Sequence, residues 1–256
     1  MKLSVIIVTY NSSKHIKKCL NSLMDNLSEN SEVIVVDNGS KDDTKKIVKD
    51  FGMVKLIESE NVGFGKGVNL GVKNSKGEYL FLLNPDTKLT KNSLNDLLKF
   101  AKDKDFGIIA PQLIEPTGNV QKSVTHFPTI GNAIKEFYFG VRDNYSQYVP
   151  QGEDAAEVEC VYGAAMLIKK SIFINVGGFD ERYFMYFEDL DLCRKIKKLG
   201  LKNYYLPSVK IYHEVGGTVE DKSDSLQLLN DSSKIYHGLF YYYLLYLILW
   251  LRPKKK

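Results

Sequence analysis

The run Tyr79-Leu80-Phe81-Leu82-Leu83 ends abruptly in Asn84-Pro85-Asp86-Thr87. Five apolar or aromatic residues bounded by turn residues read as a buried strand, and Pro85 stops it because it has no amide proton for a further rung of a ladder. An acidic side chain is thus left at the strand's carboxyl end. In an open α/β sheet this edge is where ligands bind, so Asp86 is placed to hold a cation or a diphosphate. The alternative is a capped turn, since Asn-Pro and Pro-Asp are ordinary turn dipeptides.

Upstream of this run, strand and helix patterns alternate. Leu3 to Val8 is β-branched and apolar, and Lys14 to Leu27 carries Ile16, Leu20, Leu23 and Leu27 at helical spacing. Val33 to Val36 is closed by Asp37-Asn38-Gly39-Ser40, a short helix follows to Phe51, then a strand from Met53 to Ile57 and a helix ending near Asn74. This alternation predicts a doubly wound, mostly parallel sheet with right-handed crossovers. Parallel strands set their endings side by side. Thr9-Tyr10-Asn11-Ser12, Asp37-Asn38-Gly39-Ser40 and Asn84-Pro85-Asp86 therefore line one crevice with two carboxylates. Helix capping accounts for Ser12 and Ser40 but less well for Asp37 and Asp86.

Downstream of Phe100 the rhythm changes. Gly107 to Leu113 and Asn119 to Thr125 read as strands, residues 131–151 are aromatic, polar and irregular, and the apolar stretch Val158 to Ile168 is interrupted by Gly163-Ala164-Ala165. No repeat or linker separates the halves. The expectation is a single α/β domain in which a nucleotide-binding N-terminal half continues into a more variable C-terminal half.

Three further segments carry candidate chemistry. Asn61-Val62-Gly63-Phe64-Gly65-Lys66-Gly67-Val68-Asn69 could present backbone N–H groups and a lysine to a phosphate at a helix N-terminus. Its glycine spacing fits neither the dinucleotide fingerprint nor the P-loop, so neither an NAD enzyme nor a P-loop NTPase is supported. Glu188, Asp189 and Asp191 crowd the first turn of a helix running to Leu199, where the helix dipole favours acids. The aromatic residues Tyr183, Phe184, Tyr186 and Phe187 around them point instead to a partly desolvated pocket, which raises a carboxyl pKa and makes a better general base. His213, before Gly216-Gly217-Thr218, is a candidate metal or phosphate ligand, or a structural histidine; His15, His126 and His237 have weaker contexts.

The 256 residues, 44% hydrophobic and 26% charged, suffice for a substantial core, and a formal charge of +4 spread over many lysines gives no argument for nucleic acid. Cys19, Cys160 and Cys193 lie far apart in apolar segments, as reduced core residues of a cytosolic protein do. Met1-Lys2 runs directly into a strand pattern without a cleavage site, so the expected location is the cytoplasm.

The motifs Val5 to Ser12, Val35 to Ser40, Asn61 to Phe64, Leu83 to Asp86, and Gly177-Gly178-Phe179-Asp180 through Leu192 resemble, in order, those of the family 2 glycosyltransferases, with the rhamnosyltransferase-like enzymes as the most similar branch. The resemblance covers about residues 3 to 218. It implies a single GT-A domain that transfers a sugar, rhamnose at the level of the branch, from a nucleotide diphosphate with inversion. The acceptor implied is a glycan or lipid-linked glycan in cell-surface polysaccharide synthesis. Carried over by motif, Thr9, Tyr10, Asn11, Asp37 and Asn38 line the base and ribose site, and Asn61, Gly63 and Asn69 face the nucleotide. Asn84 and Asp86 sit at the diphosphate, where Asp86, with His213 as a further candidate, binds a divalent cation, Mg²⁺ or Mn²⁺. Asp189 is the catalytic base and Glu188 contacts the acceptor. Many relatives have aspartate at the position of Asn84, so one negative charge fewer faces the metal. The competing classes are a sugar nucleotidyltransferase, which needs a basic glycine-rich signature after the first strand that this chain lacks, and a catalytically silent nucleotide-sugar binder, against which Asp86 and Asp189 argue.

The resemblance sets a catalytic domain at residues 1–220 and a tail at 221–256. Leu239 to Leu251 is continuously apolar or aromatic, followed by Arg252 and Lys254 to Lys256. These 13 residues fall short of the about 20 needed to span a bilayer. Tyrosine, tryptophan and terminal lysines suit a peripheral anchor in the membrane interface, which would hold the protein at the inner face of the cell membrane. The alternative is a helix packed against the domain or a dimer partner; the oligomeric state is left open.

Overall fold

The computed structural model describes residues 2–102, 104–214 and 222–253. The N-terminal half runs β1 (Leu3–Thr9), α1 (Ile16–Met24), β2 (Ser31–Asp37), α2 (Thr44–Lys49), β3 (Val54–Glu58), α3 (Phe64–Lys73), β4 (Tyr79–Leu83), β5 (Thr87–Leu89) and α4 (Ser93–Lys102). The C-terminal half runs β6 (Ile108–Ile114), β7 (Val124–Thr125), α5 (Ile130–Phe137), β8 (Ala156–Val158), β9 (Cys160–Val161), β10 (Ala165–Lys169), α6 (Lys170–Asn175), α7 (Glu188–Lys198), β11 (Asn203–His213), α8 (Lys222–His237) and α9 (Leu239–Trp250).

One sheet, ordered β3-β2-β1-β4-β10-β6-β11-β5 with β8 also on β11, joins both halves into the expected single α/β domain. Its first four strands are parallel. Alternate residues of these strands enter different cores. Val5, Ile7, Val35 and Phe81 gather with Ile16, Leu20 and Leu23 of α1, while Ile6, Val8, Ile34 and Leu82 gather with Val68 and Val72 of α3. Both faces are covered, so the strands read as unbroken apolar runs.

Helix α3 lies close on the sheet because two of its residues have no side chain. A Cβ on Gly67 would sit 2.9 Å from Val8 Cγ1, and one on Gly71 2.5 Å from Ile6 Cγ2. Within the glycine-rich segment Gly67 thus serves packing, and Lys66 pairs with Glu181 at 3.9 Å.

Beyond β4 the sheet becomes mixed. Strand β10 runs antiparallel between β4 and β6, and β11 runs parallel to β6 with a register shift between Leu206 and Lys210. Pro207 falls inside that shift, where its missing N–H breaks the ladder. The outer edge of β11 then holds β8 along its first part and β5 along its last, with His213 opposite Thr87.

Two expectations change here. The strand expected over Asn119 to Thr125 is reduced to β7, because the chain turns at Gly118 (φ +89°), where Glu115 N donates to Asn119 O and Gln121 N to Leu113 O before pairing with β9 begins. The irregular segment 131–151 contains α5, capped by Thr129, whose hydroxyl accepts from Asn132 N at 3.1 Å. Ile130, Ala133, Ile134 and Phe137 recur at helical spacing, a signal masked by the aromatic and polar residues after them.

The C-terminal segment is helical, as expected. Tyr236 of α8 is buried in the second core, and Ser232 Oγ donates to Met185 O at 2.7 Å. Helix α9 buries Leu245 and receives Tyr138 Oη at Ile248 O, 2.9 Å, while Phe240 (76% exposed) and Trp250 (71%) stand out in solvent. Among the described residues no helix is long and apolar enough to cross a membrane. Gly216, Gly217, Thr218 and Lys254 to Lys256 lie outside the described residues.

Candidate active site

The register Thr9↔Asp37 brings the ends of β1 and β2 together. Asp37 is fully buried, and its carboxylate accepts from Thr9 Oγ1 at 3.1 Å and Ser40 N at 2.9 Å. Asn11, at φ +49°, ties the two loops: its N–H donates to Ser40 Oγ and its Oδ1 accepts from Lys41 N, both at 2.9 Å. Tyr10 is half-buried beside it. Asn38 Nδ2 donates to Gly63 O at 2.9 Å, whereas its Oδ1 is buried without a partner, an acceptor that can take a ligand N–H or O–H.

The other residues expected at the nucleotide have different geometries. Asn61 is exposed, with Oδ1 3.4 Å from Gly63 N. Asn69 is engaged within the protein: Nδ2 donates to Phe179 O at 2.9 Å and to Glu181 Oε1 at 3.2 Å, and Oδ1 accepts from Phe179 N at 3.1 Å. Both ends of its amide therefore clamp the loop before α7, and it is not free to face a nucleotide. Gly63 is required by close approach. A Cβ there would lie 2.3 Å from Phe184 O, the oxygen that accepts from Phe64 N at 2.9 Å.

Asp86 and His213, far apart in sequence, meet through the pairing of β5 with β11. Asp86 Oδ1 lies 3.3 Å from His213 Nε2 and is buried without a hydrogen bond. His213 Nδ1 lies 2.8 Å from Gln121 Oε1. A side-chain carbonyl only accepts, so Nδ1 is the donor in that contact and Nε2 is the ring atom turned toward Asp86. A carboxylate oxygen and a ring nitrogen this close, with the ring oriented from behind by Gln121, are the donor types of a hard or borderline cation. Among the described residues no cluster of three or more His, Cys, Asp or Glu side chains converges, so further ligands would come from a diphosphate and water. A cavity of about 320 Å³ opens beside Asp86, with His15, Lys18 and Lys88 on its wall. Neighbouring Cys19, whose thiol burial pushes up to about 12, is an inert core residue.

Glu188 and Asp189 occupy the first turn of α7. Two consecutive left-handed residues, Tyr186 (φ +70°) and Phe187 (φ +66°), set the direction of this turn, a strained backbone held by its surroundings. Phe187 packs on Tyr236 with ring centroids 5.2 Å apart, so α8 braces the loop. Asp189 Oδ1 accepts from Leu190 N at 2.8 Å and Oδ2 from Gly163 N at 3.1 Å. Burial pushes the Asp189 carboxyl up to about 6 despite these bonds. Burial and the charge of Asp189 push Glu188 up to about 8, and Glu188 Oε2 has no partner. The desolvated pocket expected from the aromatic residues is thus present. Asp191 instead pairs with Arg194 and Lys195 at 2.6 and 2.9 Å.

The break between β9 and β10 links the two acidic centres. Gly163 N holds Asp189, and Ala164 O accepts from Asn84 N at 2.9 Å, two residues before Asp86. Gly163 was legible in the sequence only as an interruption, and Gln121 carried no signal at all.

The chain that carries this polar crevice along β1 and β2, buried Asp–His pair beyond β4 and raised carboxylate across Gly163 has known relatives. The family model described as glycosyl transferase family 2 matches residues 4–177. N-acetylglucosaminyl-diphospho-decaprenol L-rhamnosyltransferase of Mycobacterium tuberculosis (strain ATCC 25618 / H37Rv) is 30% identical over 255 residues, 91% of this chain and 83% of that protein. Rhamnosyltransferase WbbL of Escherichia coli (strain K12) is 29% identical over 218 residues, covering 82% of each. The crystal structure of GalNAc-T7 with UDP, GalNAc and Mn²⁺ shares the fold at a TM-score of 0.68 and 14% identity, over 92% of this chain and 47% of that one. With two thirds of its length matched by the family model, this chain is a glycosyltransferase and belongs to glycosyl transferase family 2.

Proposed function

We propose that the chain transfers a sugar, rhamnose in the reading its relatives favour, from a nucleotide diphosphate to a lipid-linked glycan acceptor in cell-surface polysaccharide synthesis, with inversion at the anomeric carbon. The names of the two rhamnosyltransferase relatives support the sugar, and the diphospho-decaprenol in one of them supports the acceptor class. The observation that carries the reading is the bridge Asp189–Gly163–Ala164–Asn84, which joins a raised carboxylate to the Asp86–His213 pair.

In this reading Asp37, Asn38, Thr9, Tyr10 and Asn11 form the nucleotide end, and Gly63 and Asn61 hold the loop beside it. Asp86 and His213 hold a divalent cation, which when bound offsets negative charge on the leaving diphosphate; the Mn²⁺ of GalNAc-T7 supports this choice. Asp189 takes the proton of the acceptor hydroxyl as the acceptor oxygen bonds to the anomeric carbon. The bond from that carbon to the diphosphate breaks, and its electron pair leaves with the diphosphate. Two backbone N–H groups fix the carboxylate, leaving a lone pair for the proton. Glu188, pushed up by burial, stays protonated at neutral pH and can donate to the acceptor.

Residues 221–256 act in this reading as a peripheral attachment to the inner face of the membrane. The exposed Phe240, Tyr243, Tyr246 and Trp250 support it. Phe240→Ser with Trp250→Ser would then abolish vesicle flotation, and unchanged flotation would exclude the attachment.

Release of free nucleoside diphosphate across a panel of nucleotide sugars, rhamnosyl donors included, tests the central reading. Turnover with a rhamnosyl donor, lost in Asp189→Asn while nucleotide binding is kept, is the expected result. Equal turnover in the variant would reject Asp189 as base.

A further inference from the structure

A second cavity, larger than the one beside Asp86, lies between the N-terminus of α5, the C-terminal half of α7 and helices α8 and α9. It measures about 720 Å³. Its wall is apolar where Phe127, Ile130, Tyr236 and Tyr241 contribute, and cationic where Arg194, Lys197 and Lys198 do; among the described residues no carboxylate lines it. The three cations are not equivalent. Arg194 bonds to Asp191 Oδ1 at 2.6 Å and stacks on Tyr236, and Lys197 bonds to Glu159 Oε1 at 2.6 Å. Lys198 is exposed and has no ion pair among the described residues.

Two further features border the same space. His237 Nε2 is buried without a hydrogen-bond partner. Burial and the nearby Arg194 hold this ring down to about 4, so at neutral pH it is uncharged and offers a single N–H or lone pair. Ile130 and Gly131 open α5, and the first N–H groups of a helix have no partner within it. A lysine, a buried imidazole and free helix N–H groups around an apolar cavity form the complement of a phosphate carried on a hydrocarbon.

The position narrows the ligand. His237 and Tyr236 lie against Phe187, with ring centroids 5.9 and 5.2 Å apart, and Phe187 directly precedes Glu188 and Asp189. On its other side the cavity is closed by Tyr241 of α9, the helix whose aromatic face is exposed. A ligand there would lie against His237 and Tyr236, the rings that pack on Phe187 before the base, with its phosphate toward the C-terminal end of α7 and its apolar chain along α9.

We infer that this cavity binds the diphosphate and first isoprenoid units of the lipid that carries the acceptor, separately from the donor site. The inference rests on the reading that the acceptor is lipid-linked, and it assigns Lys198, His237 and the start of α5 to the lipid diphosphate, with Tyr236 and Tyr241 against the chain.

Calorimetric titration of the full chain with farnesyl diphosphate tests it, with inorganic pyrophosphate and phosphatidylglycerol vesicles as separate arms. The expected result is farnesyl diphosphate binding about tenfold or more tighter than pyrophosphate, weakened about tenfold in Lys198→Glu and in Tyr241→Ala. Both side chains are exposed, and circular dichroism and nucleotide binding would report their folds as unchanged. Equal affinity for pyrophosphate, unaltered binding in both variants, or full displacement by phosphatidylglycerol vesicles would each overturn the assignment. Turnover of a rhamnosyl donor is scored in parallel: turnover without farnesyl diphosphate binding rejects this site alone, and binding without turnover rejects the proposed activity alone.

Discussion

His213 Nε2 stands 3.3 Å from Asp86 Oδ1, and that oxygen is buried with no hydrogen bond of its own. A buried carboxylate oxygen without a hydrogen bond is costly unless a positive charge stands beside it. His213→Ala is therefore expected to weaken Mn²⁺ binding by about 10–100-fold or more, since loss of a residue that merely supports a metal ligand already costs that much. The loss of transfer should be recovered in part at high Mn²⁺. Asp86→Ala should abolish transfer at any metal concentration, whereas Asn84→Asp, which adds a charge at the same edge, should be tolerated and tighten the metal. Titration of Mn²⁺ with activity as readout checks all three; full activity of Asp86→Ala would remove the metal role.

With Asp189 as the proposed base, its ionisation sets the expected pH dependence of the rate. A base works only when deprotonated, and burial raises this carboxyl from 3.8 to about 6. The rate with saturating metal is expected to fall as pH drops through about 6, well above the range of an exposed aspartate. A profile of kcat/KM against pH that stayed flat down to pH 4.5 would contradict a buried base at this position.

How far the sequence carries depends on which contacts are local. The strands β1, β2 and β4 were legible because burial on both faces leaves an uninterrupted apolar run, and their polar endings follow from parallel pairing. The pocket around Asp189 was legible from four aromatic residues nearby. The meeting of Asp86 with His213 was foreseen only as two separate candidates, because it depends on the register shift near Pro207 and on β5 adding to the far edge of β11. Asn69 and Gly67 look like ligand residues in a glycine-rich motif; only the close approach of α3 to Val8, and the clamp on Phe179, identify them as bracing and packing groups.

Glu188 couples the site to stability. Its folded-state pKa is raised above 4.5 by burial and by Asp189, so the stability it leaves intact at low pH is lost as pH rises from 4.5 through about 8. Glu188→Gln removes that titration. The melting temperature of the variant relative to wild type should therefore increase by a few degrees between pH 4.5 and pH 8.5. A difference in melting temperature independent of pH would mean that Glu188 is not held protonated in the fold.

Gly63 and Gly118 both have strongly positive φ, +87° and +89°, yet they sit in different surroundings. Alanine at either position carries about 1–3 kcal/mol of backbone strain. At Gly118 a Cβ meets nothing within 4 Å, so strain is the whole cost. At Gly63 the same Cβ would lie 2.3 Å from Phe184 O and 2.9 Å from Phe184 Cα, backbone atoms that cannot turn aside. The loop 184–187 must then move, adding about 1–3 kcal/mol of overpacking and displacing the first turn of α7, which carries the proposed base Asp189. Gly63→Ala is thus expected to lose more stability than Gly118→Ala in urea denaturation and to lower kcat, while Gly118→Ala keeps kcat. Equal kcat in the two variants would mean that the contact of Gly63 with Phe184 does not position the base.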